Sequence, residues 1–278
     1  MSNYLVDTHC HLHDKEFFSE EQAEEILKRA REKGVEKIIC VGTSHEDSLA
    51  ARDFASLHDN VYWTYGIHPE YAKEAEHSFL RDGSLAPVVT GLGPSFSVVT
   101  SESPQKRTFQ PPIAIGEVGL DYHYEGYDRE AQIKLFEEML QLAKDNDLPL
   151  SFHVREAFDD FFPVVSNFPK ARGVVHSFSD NKKNLKRILN ETDFYVGVNG
   201  MATYSTLPTP PLNRILLETD APFLTPVPFR GMINESGYIY EIAKWLSDKL
   251  AVDLDEVKNE TTKNAEKLFD FECASRRD

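Results

Sequence analysis

Cysteine is scarce in this chain of 278 residues, and long apolar runs are absent. The three cysteines, Cys10, Cys40 and Cys273, form no C-x-x-C pair, which argues against a disulfide framework and against a thiolate zinc site. No stretch approaches the roughly 18 consecutive apolar residues that a membrane span needs. Residues 1–6 lack the basic region and the cleavage site of a secretory signal. These absences predict a cytoplasmic protein without a membrane partner.

Positive charge is also in short supply. The chain has 30 Lys and Arg residues against 46 Asp and Glu residues, which gives a formal net charge of −16. Proteins that grip nucleic acid by neutralising many phosphates are usually basic. The charge balance therefore argues against tight binding along a duplex. The apolar fraction of 41% is that of an ordinary globular chain and excludes an extended disordered protein.

Apolar runs of strand length alternate with amphipathic stretches of helix length. Most runs are continuously apolar, as at residues 38–41, which is typical of strands buried on both faces of a parallel sheet. The predicted strands are residues 4–9, 35–42, 61–68, 112–121, 149–154, 173–178, 194–199 and 214–220. The predicted helices are residues 20–33, 45–57, 70–81, 128–146, 156–167, 182–190, 238–251 and 254–269. Eight strand–helix units favour one α/β domain over residues 1–278, a TIM-type (β/α)8 barrel.

A doubly wound sheet is the alternative architecture, but no G-x-G-x-x-G sequence follows any of the strands. Between the third and fourth strands, residues 86–112 are rich in Ser, Thr, Pro and Gly. This composition predicts a long surface insertion, either a hairpin or a partly disordered segment. Residues 203–212 are rich in Pro and leave little room for a helix before the eighth strand.

Ligand-type side chains stand where five of the predicted strands end. They are His9, His11, Glu117, His153, His176 and Asp220. The carboxyl ends of the strands carry the catalytic groups of a (β/α)8 barrel, because the βα loops all open on that face. A lone His in an apolar run is more often a hydrogen-bonded core residue, but six such residues at five strand ends predict a metal site. Alternation along the first strand also places His9 and His11 on one side and turns Cys10 away from them.

The types of ligand narrow the choice of metal. Imidazole and carboxylate without thiolate suit Zn, Mn, Fe or Ni, and with open positions Mg. Six ligands exceed what one tetrahedral ion needs. Two divalent ions bridged by a carboxylate would use all six, and such pairs, roughly 3.5–4 Å apart, are the usual clamp of hydrolytic phosphoryl chemistry.

The motifs around these residues resemble those of the TatD-type deoxyribonucleases, metal-dependent hydrolases of the amidohydrolase-like barrel superfamily. The resemblance extends from residue 6 to residue 269. The matching segments are DTHCHL at 7–12, GIHP at 66–69, GEVGLDY at 116–122, HVR at 153–155, HSFS at 176–179 and LETDAP at 217–222. The segment RGMINE at 230–235 is similar to the family's Arg-Gly-x-x-Asn-Glu stretch, although Ser236 stands where the family usually has Pro.

The resemblance implies a binuclear site with two divalent cations, Mg, Mn or Zn. The implied ligands are His9, His11 and Asp220 for one ion and His153 and His176 for the other, with Glu117 bridging both. A water molecule bound to these ions is the implied nucleophile, which Asp220 orients and deprotonates. Related amidohydrolases often carry a carbamylated Lys on the fourth strand. Because Glu117 stands in that place, the resemblance favours phosphodiester hydrolysis over amide hydrolysis.

Four further residues are implied on the substrate side. His68 would contact a substrate phosphate or the leaving group, and we count it with Glu117 and Asp220 as catalytic. Arg155 and Arg230 could clamp phosphate oxygens, since a guanidinium fork matches them bidentately. Asn234 belongs to the Arg-Gly-x-x-Asn-Glu segment and is predicted to bind substrate with them.

The implied activity is that of a deoxyribonuclease that cleaves DNA phosphodiesters from a 3′ end. With so acidic a chain, we expect strand ends or short single strands as the substrate. A monomer is the favoured oligomeric state. One alternative keeps the metal but changes the substrate to another ester or amide, such as an aminoacyl-tRNA ester. Another is a barrel that has lost catalysis and serves as a scaffold, although a scaffold needs none of the six ligands.

Overall fold

Eight parallel strands form one sheet that is nearly closed into a barrel, as the sequence predicts. The computed structural model describes residues 4–73, 88, 96–99, 104–107 and 110–271. In barrel order the strands are β1 (Leu5–Cys10), β2 (Val35–Val41), β3 (Val61–Tyr65), β6 (Ala114–Asp121), β7 (Leu150–Arg155), β8 (Gly173–Val175), β9 (Tyr195–Val198) and β10 (Ile215–Leu217). Strands β4 (Phe96–Val99) and β5 (Pro104–Arg107) pair antiparallel with each other in a separate hairpin.

Five of the described helices lie between barrel strands in sequence, and two follow the last strand, β10. The seven are α1 (Glu20–Glu32), α2 (His45–Ala55), α3 (Arg129–Asn146), α4 (Phe158–Ser166), α5 (Lys182–Glu191), α6 (Ile239–Leu250) and α7 (Leu254–Leu268). Helix α1 shows why they form: Ser19 and Gln22 make a capping box at its start, and its apolar residues, Ile26 among them, are buried on one face. Within the described residues, no helix is long and apolar enough to cross a membrane.

The alternation of strands and helices is interrupted in two segments, residues 203–212 and 86–112, and their structure agrees with their composition. The loop between β9 and β10 contains only short 3-10 turns, Gly200–Thr203 and Leu212–Arg214, where the Pro-rich sequence leaves no room for an α-helix. The hairpin of β4 and β5 falls inside the 86–112 segment, whose other residues lie largely outside the described ones. Of the helix predicted over 70–81, only the 3-10 turn Pro69–Lys73 is described. The single domain, the surface position of the insertion, the monomer and the cytoplasmic location stay predictions.

Strand ends differ from the prediction in a way that matters for the site. Strand β6 ends at Asp121, as its predicted bounds have it, and pairs with β7 after β3 has stopped at Tyr65, so Glu117 lies within the strand and not at its end. His68 and Asp220 lie three residues beyond the ends of β3 and β10, so both are loop residues. Just beyond the end of β3 the chain passes close to β6: a Cβ on Gly66 would lie 2.2 Å from the carbonyl carbon of Gly116. Only glycine lets these two backbones meet.

Hydrogen bonds at the carboxyl ends of β1 and β10 hold the two edge strands of the sheet together. The Thr8 hydroxyl donates to the carbonyl of Leu217 over 2.9 Å, and the amide of Asp220 donates to the carbonyl of His9 over 2.8 Å. The carboxylate of Asp7, fully buried, accepts from the Thr219 amide at 2.9 Å and its hydroxyl at 2.7 Å. This closure brings the loop that carries Asp220 against the strand that carries His9.

The Asp7 carboxylate should therefore stabilise the fold. Asp7→Ala leaves a buried amide and a buried hydroxyl of Thr219 without an acceptor, which we expect to cost about 2 kcal/mol in the free energy of unfolding. Urea denaturation measures this change. Asp248→Ala, an exposed aspartate on α6, is the control and should change the unfolding free energy by less than about 0.5 kcal/mol. If both substitutions changed the free energy of unfolding equally, Asp7 would not stabilise the closure between β1 and β10.

Candidate metal centre

Glu117 lies at the centre of the barrel mouth, and three histidines face its carboxylate. Its Oε1 lies 2.7 Å from His153 Nδ1 and 3.3 Å from His176 Nε2, and its Oε2 lies 3.4 Å from His9 Nε2. The residue is only 5% exposed. One carboxylate on β6 thus contacts imidazoles from β1, β7 and the end of β8.

Asp220 completes the group from the loop after β10. Its Oδ1 lies 3.7 Å from His9 Nε2 and 3.6 Å from His11 Nε2. His9 and His11 point to the same side of β1, as alternation predicts, whereas Cys10 between them donates from its thiol to the carbonyl of Ile39. All six residues singled out at the strand ends are therefore brought together.

The arrangement suits divalent cations. Donor atoms of His9, His11 and Glu117 lie within 4.8 Å of one another, and so do those of Glu117, His153 and His176. His9 Nε2 is buried, points at two carboxylates and has no hydrogen-bond partner among the described residues. A buried polar nitrogen without a partner is costly unless a ligand satisfies it. This orphaned nitrogen and the imidazole–carboxylate donor set fit a metal centre.

Each of the four histidines has a polar group of the protein near its other ring nitrogen. His9 Nδ1 lies 3.4 Å from the Ser151 hydroxyl, and His11 Nδ1 lies 2.9 Å from the carbonyl of Val41. A neutral imidazole has one N–H and one lone pair, so an acceptor at the outer nitrogen turns the lone pair toward the centre.

The other two histidines lie beside carboxylates, which the sequence analysis did not single out. His153 Nε2 makes a hydrogen bond of 2.8 Å with Asp121 Oδ2, whereas His176 Nδ1 lies 3.3 Å from Glu218 Oε1 without hydrogen-bond geometry. Both acids are buried and belong to the GEVGLDY and LETDAP motifs. Their position in otherwise apolar strands was the signal that could have identified them, since a buried carboxylate needs a partner.

The histidines stabilise the negative charges of the two central carboxylates, Glu117 and Asp220. Burial alone would raise the pKa of Glu117, but the imidazoles of His176, His153 and His9 lower it well below its usual value. Burial likewise opposes ionisation of Asp220, yet the hydrogen bond to His11 and the nearby imidazoles lower its pKa. Both carboxylates are therefore held as anions at neutral pH.

A cavity of about 670 Å³ opens over the cluster. His68, three residues beyond β3, lines it, with Nε2 3.8 Å from Glu117 Oε1 and its ring centroid 4.3 Å from that of His153. Burial and the neighbouring His153 lower the pKa of His68 to about 3, so this imidazole is neutral. Arg155 also lines the cavity, and its guanidinium lies over the ring of Tyr124.

Two residues predicted to bind substrate do not line the cavity. Arg230 is exposed, and its guanidinium lies 3.8 Å from the centroid of the Tyr204 ring, so its contact with a substrate phosphate stays a prediction. Asn234 is fully buried, and its amide donates to the carbonyls of Thr219 at 2.8 Å and Phe223 at 2.6 Å. Asn234 thereby fixes the loop around Asp220 and does not reach the cavity. Sequence spacing could not show this, because the path of that loop depends on the closure of the barrel.

A (β/α)8 barrel with imidazoles and carboxylates at the carboxyl ends of its strands is the architecture of a class of metal-dependent hydrolases. The chain belongs to the TatD-related DNase family, whose model matches residues 6–270, and the predicted family membership is confirmed.

Individual relatives agree with this membership over most of their length. The chain is 31% identical to a protein of Erwinia tasmaniensis named 3′-5′ ssDNA/RNA exonuclease TatD, over 89% of this chain and 93% of that protein. It is 28% identical to the uncharacterized metal-dependent hydrolase YabD of Bacillus subtilis, over 95% and 98% of the two chains. Among solved structures, the TatD homologue YJJV of Escherichia coli K12 superposes with a TM-score of 0.81 at 27% identity, covering 97% and 99%.

Metal removal should destabilise the protein, because cations that bind only the folded state add to its stability. We expect treatment with a chelator to lower the melting temperature by about 5–10 °C and added Mn²⁺ to restore it. Glu117→Gln should remove most of this metal-dependent shift, since Glu117 belongs to both donor clusters. Differential scanning calorimetry measures the shift. An unchanged melting temperature with and without metal would contradict a metal centre here.

Proposed function

We propose that the protein is a deoxyribonuclease that hydrolyses DNA phosphodiesters with two divalent cations. The observation that carries the proposal is the sharing of one buried carboxylate, Glu117, by two adjacent donor clusters. Two cations joined in this way are the common arrangement for in-line displacement at phosphorus. Membership of the TatD-related DNase family supports the same chemistry.

The proposed ligand sets follow the two clusters. One cation would be held by His9, His11 and Glu117 together with the neighbouring Asp220, and the other by Glu117, His153 and His176. When bound, the cations would polarise the phosphate and lower the pKa of water in the cavity.

Residues of the chain itself would then position the substrate and move protons. Asp220 is ionised, and its carboxylate reaches the cavity lining, so it can orient a water molecule and accept its proton. His68 is neutral and can donate a hydrogen bond to a phosphate oxygen or to the leaving oxygen. Arg155, on the cavity wall, can pair with a phosphate oxygen of the substrate.

The charge around the cavity favours short contacts with DNA. Of the described residues that line it, Arg155 is the single Lys or Arg, whereas six are acidic. A long duplex would meet repulsion on this rim, and only the few phosphates near the cations would be attracted. We therefore propose strand ends or short single strands as the substrate, with cleavage from a 3′ end. The name of the Erwinia tasmaniensis relative, 3′-5′ ssDNA/RNA exonuclease, supports this choice.

Substitution of His153 tests the proposal. His153→Ala removes a ligand of the second cation, and we expect DNA cleavage with Mg²⁺ or Mn²⁺ to fall at least a hundredfold. The control is His58→Ala, a histidine in the loop before β3 that pairs with Glu24 and does not line the cavity. The control should retain wild-type activity. Equal cleavage by wild type and His153→Ala would show that another site or a contaminant cuts the DNA.

The same assay separates the candidate substrates. Single- and double-stranded DNA labelled at the 5′ or the 3′ end reports strand preference and polarity together. An aminoacyl-tRNA ester and a phosphotriester are included because the metal centre alone permits both. Cleavage of one of these esters with intact DNA would replace the nuclease proposal by the ester alternative. Intact substrates throughout, with less than one bound cation after reconstitution, would favour the scaffold.

The Asp121 carboxylate, which pairs with the outer nitrogen of His153, should influence the affinity of the site for metal. Asp121→Asn removes the charge beside His153 Nε2 while keeping the shape, and we expect metal affinity to fall about 10-fold to 100-fold. Asp128→Asn is the matched control, because Asn caps the start of α3 as well as Asp does. Isothermal titration with Mn²⁺ measures both. The role is contradicted if the two variants bind Mn²⁺ as tightly as the wild type.

A further inference from the structure

Large aromatic rings are exposed at the rim of the cavity. Tyr124 is 65% exposed and Phe223 is 47% exposed, and both line the cavity. The ring of Phe17 meets that of Phe223 edge to face at 5.3 Å between centroids. The Arg155 guanidinium lies over the Tyr124 ring, 5.3 Å from its centroid. Exposed aromatic groups rimmed by polar residues mark binding sites more often than chance.

The two groups of rings lie on opposite sides of the mouth. Tyr124 follows β6 and Arg155 ends β7, the fourth and fifth strands in barrel order. Phe17 follows β1 and Phe223 follows β10, the first and the eighth strands. Strands four places apart in an eight-stranded barrel face each other across its axis. The donor clusters around Glu117 therefore lie between the two groups.

The chemistry of the rim restricts what these rings can bind. Acidic side chains such as Asp14, Asp47 and Glu70 line the cavity beside them. Phosphates far from the cations are repelled there, whereas a flat, uncharged part of the substrate is not. Nucleobases are flat and uncharged at neutral pH, and they stack on aromatic side chains in single strands, with little dependence on sequence.

We propose that Phe223 and Tyr124 are stacking platforms for the two bases on either side of the scissile phosphodiester. This inference rests on the proposed function and adds to it the means of substrate selection. In a duplex, bases are already stacked and paired, so they cannot lie on either ring. The platforms thus select single-stranded DNA by stacking, because the rim has few positive charges with which to bind phosphates. Phe17 supports the first ring from its edge, and Arg155 supports the second from one face.

Kinetics with a base-deletion substrate test the platforms. Phe223→Leu and Tyr124→Leu should each lower kcat/KM about tenfold on a single-stranded oligonucleotide. On the same strand with abasic tetrahydrofuran nucleotides flanking the cleaved bond, each variant should stay within twofold of the wild type. The control is Tyr127→Leu, an aromatic 44% exposed that stacks on Tyr122 and does not line the cavity. It should match the wild type on both strands.

Two kinetic results would overturn the platforms. One is an equal loss on the natural and the abasic strand, which would show that the rings act on the site rather than on the bases. The other is no loss on either strand.

A binding measurement separates the platforms from the nuclease proposal. The probe is a single-stranded oligonucleotide with 2-aminopurine beside neutral methylphosphonate linkages, which the metal-loaded protein should not cleave. Stacking quenches 2-aminopurine, so we expect quenching with the wild type and its loss in Phe223→Leu or Tyr124→Leu. If the probe is quenched but no natural DNA is cleaved, the platform proposal is supported and the nuclease proposal is refuted. Cleavage of natural DNA without quenching of the probe refutes the platforms alone.

Discussion

A buried carboxylate needs cations or hydrogen-bond donors around it, and the site of this protein is built on that constraint. Moving a carboxylate from water into the interior costs several kcal/mol unless partners repay it. Glu117 lies at the mouth of the barrel with imidazoles from three strands around it. Those imidazoles themselves lie beside outer partners, two of which are further buried carboxylates. So many acidic groups in one place are compatible with folding because cations can neutralise them.

Much of this arrangement is predictable from the sequence. Continuous apolar runs predict strands buried on both faces, and all eight barrel strands occur where the runs are. The six strand-end residues are recognisable because a His or a carboxylate interrupts such a run. Alternation also predicts the shared side of His9 and His11, since the period of a strand is fixed by its backbone geometry.

The rest depends on tertiary contacts that spacing does not encode. Asp121 and Glu218 acquire their roles only when neighbouring strands bring His153 and His176 beside them. Asn234 was assigned to substrate from its motif, but the loop after β10 turns it into the interior. The net charge of the chain does not show where the acidic residues lie. In the structure they lie both in the cavity lining and on the outer helices, so the charge bears directly on how DNA can approach the site.

Anomalous X-ray diffraction from crystals soaked in Mn²⁺ tests the central claim most directly. The claim is that Glu117 is shared by two cations, one beside His9 and His11 and one beside His153 and His176. The account predicts two anomalous peaks about 3.5–4 Å apart, one on each side of the Glu117 carboxylate. A single peak, or peaks that leave Glu117 without a cation, would contradict it.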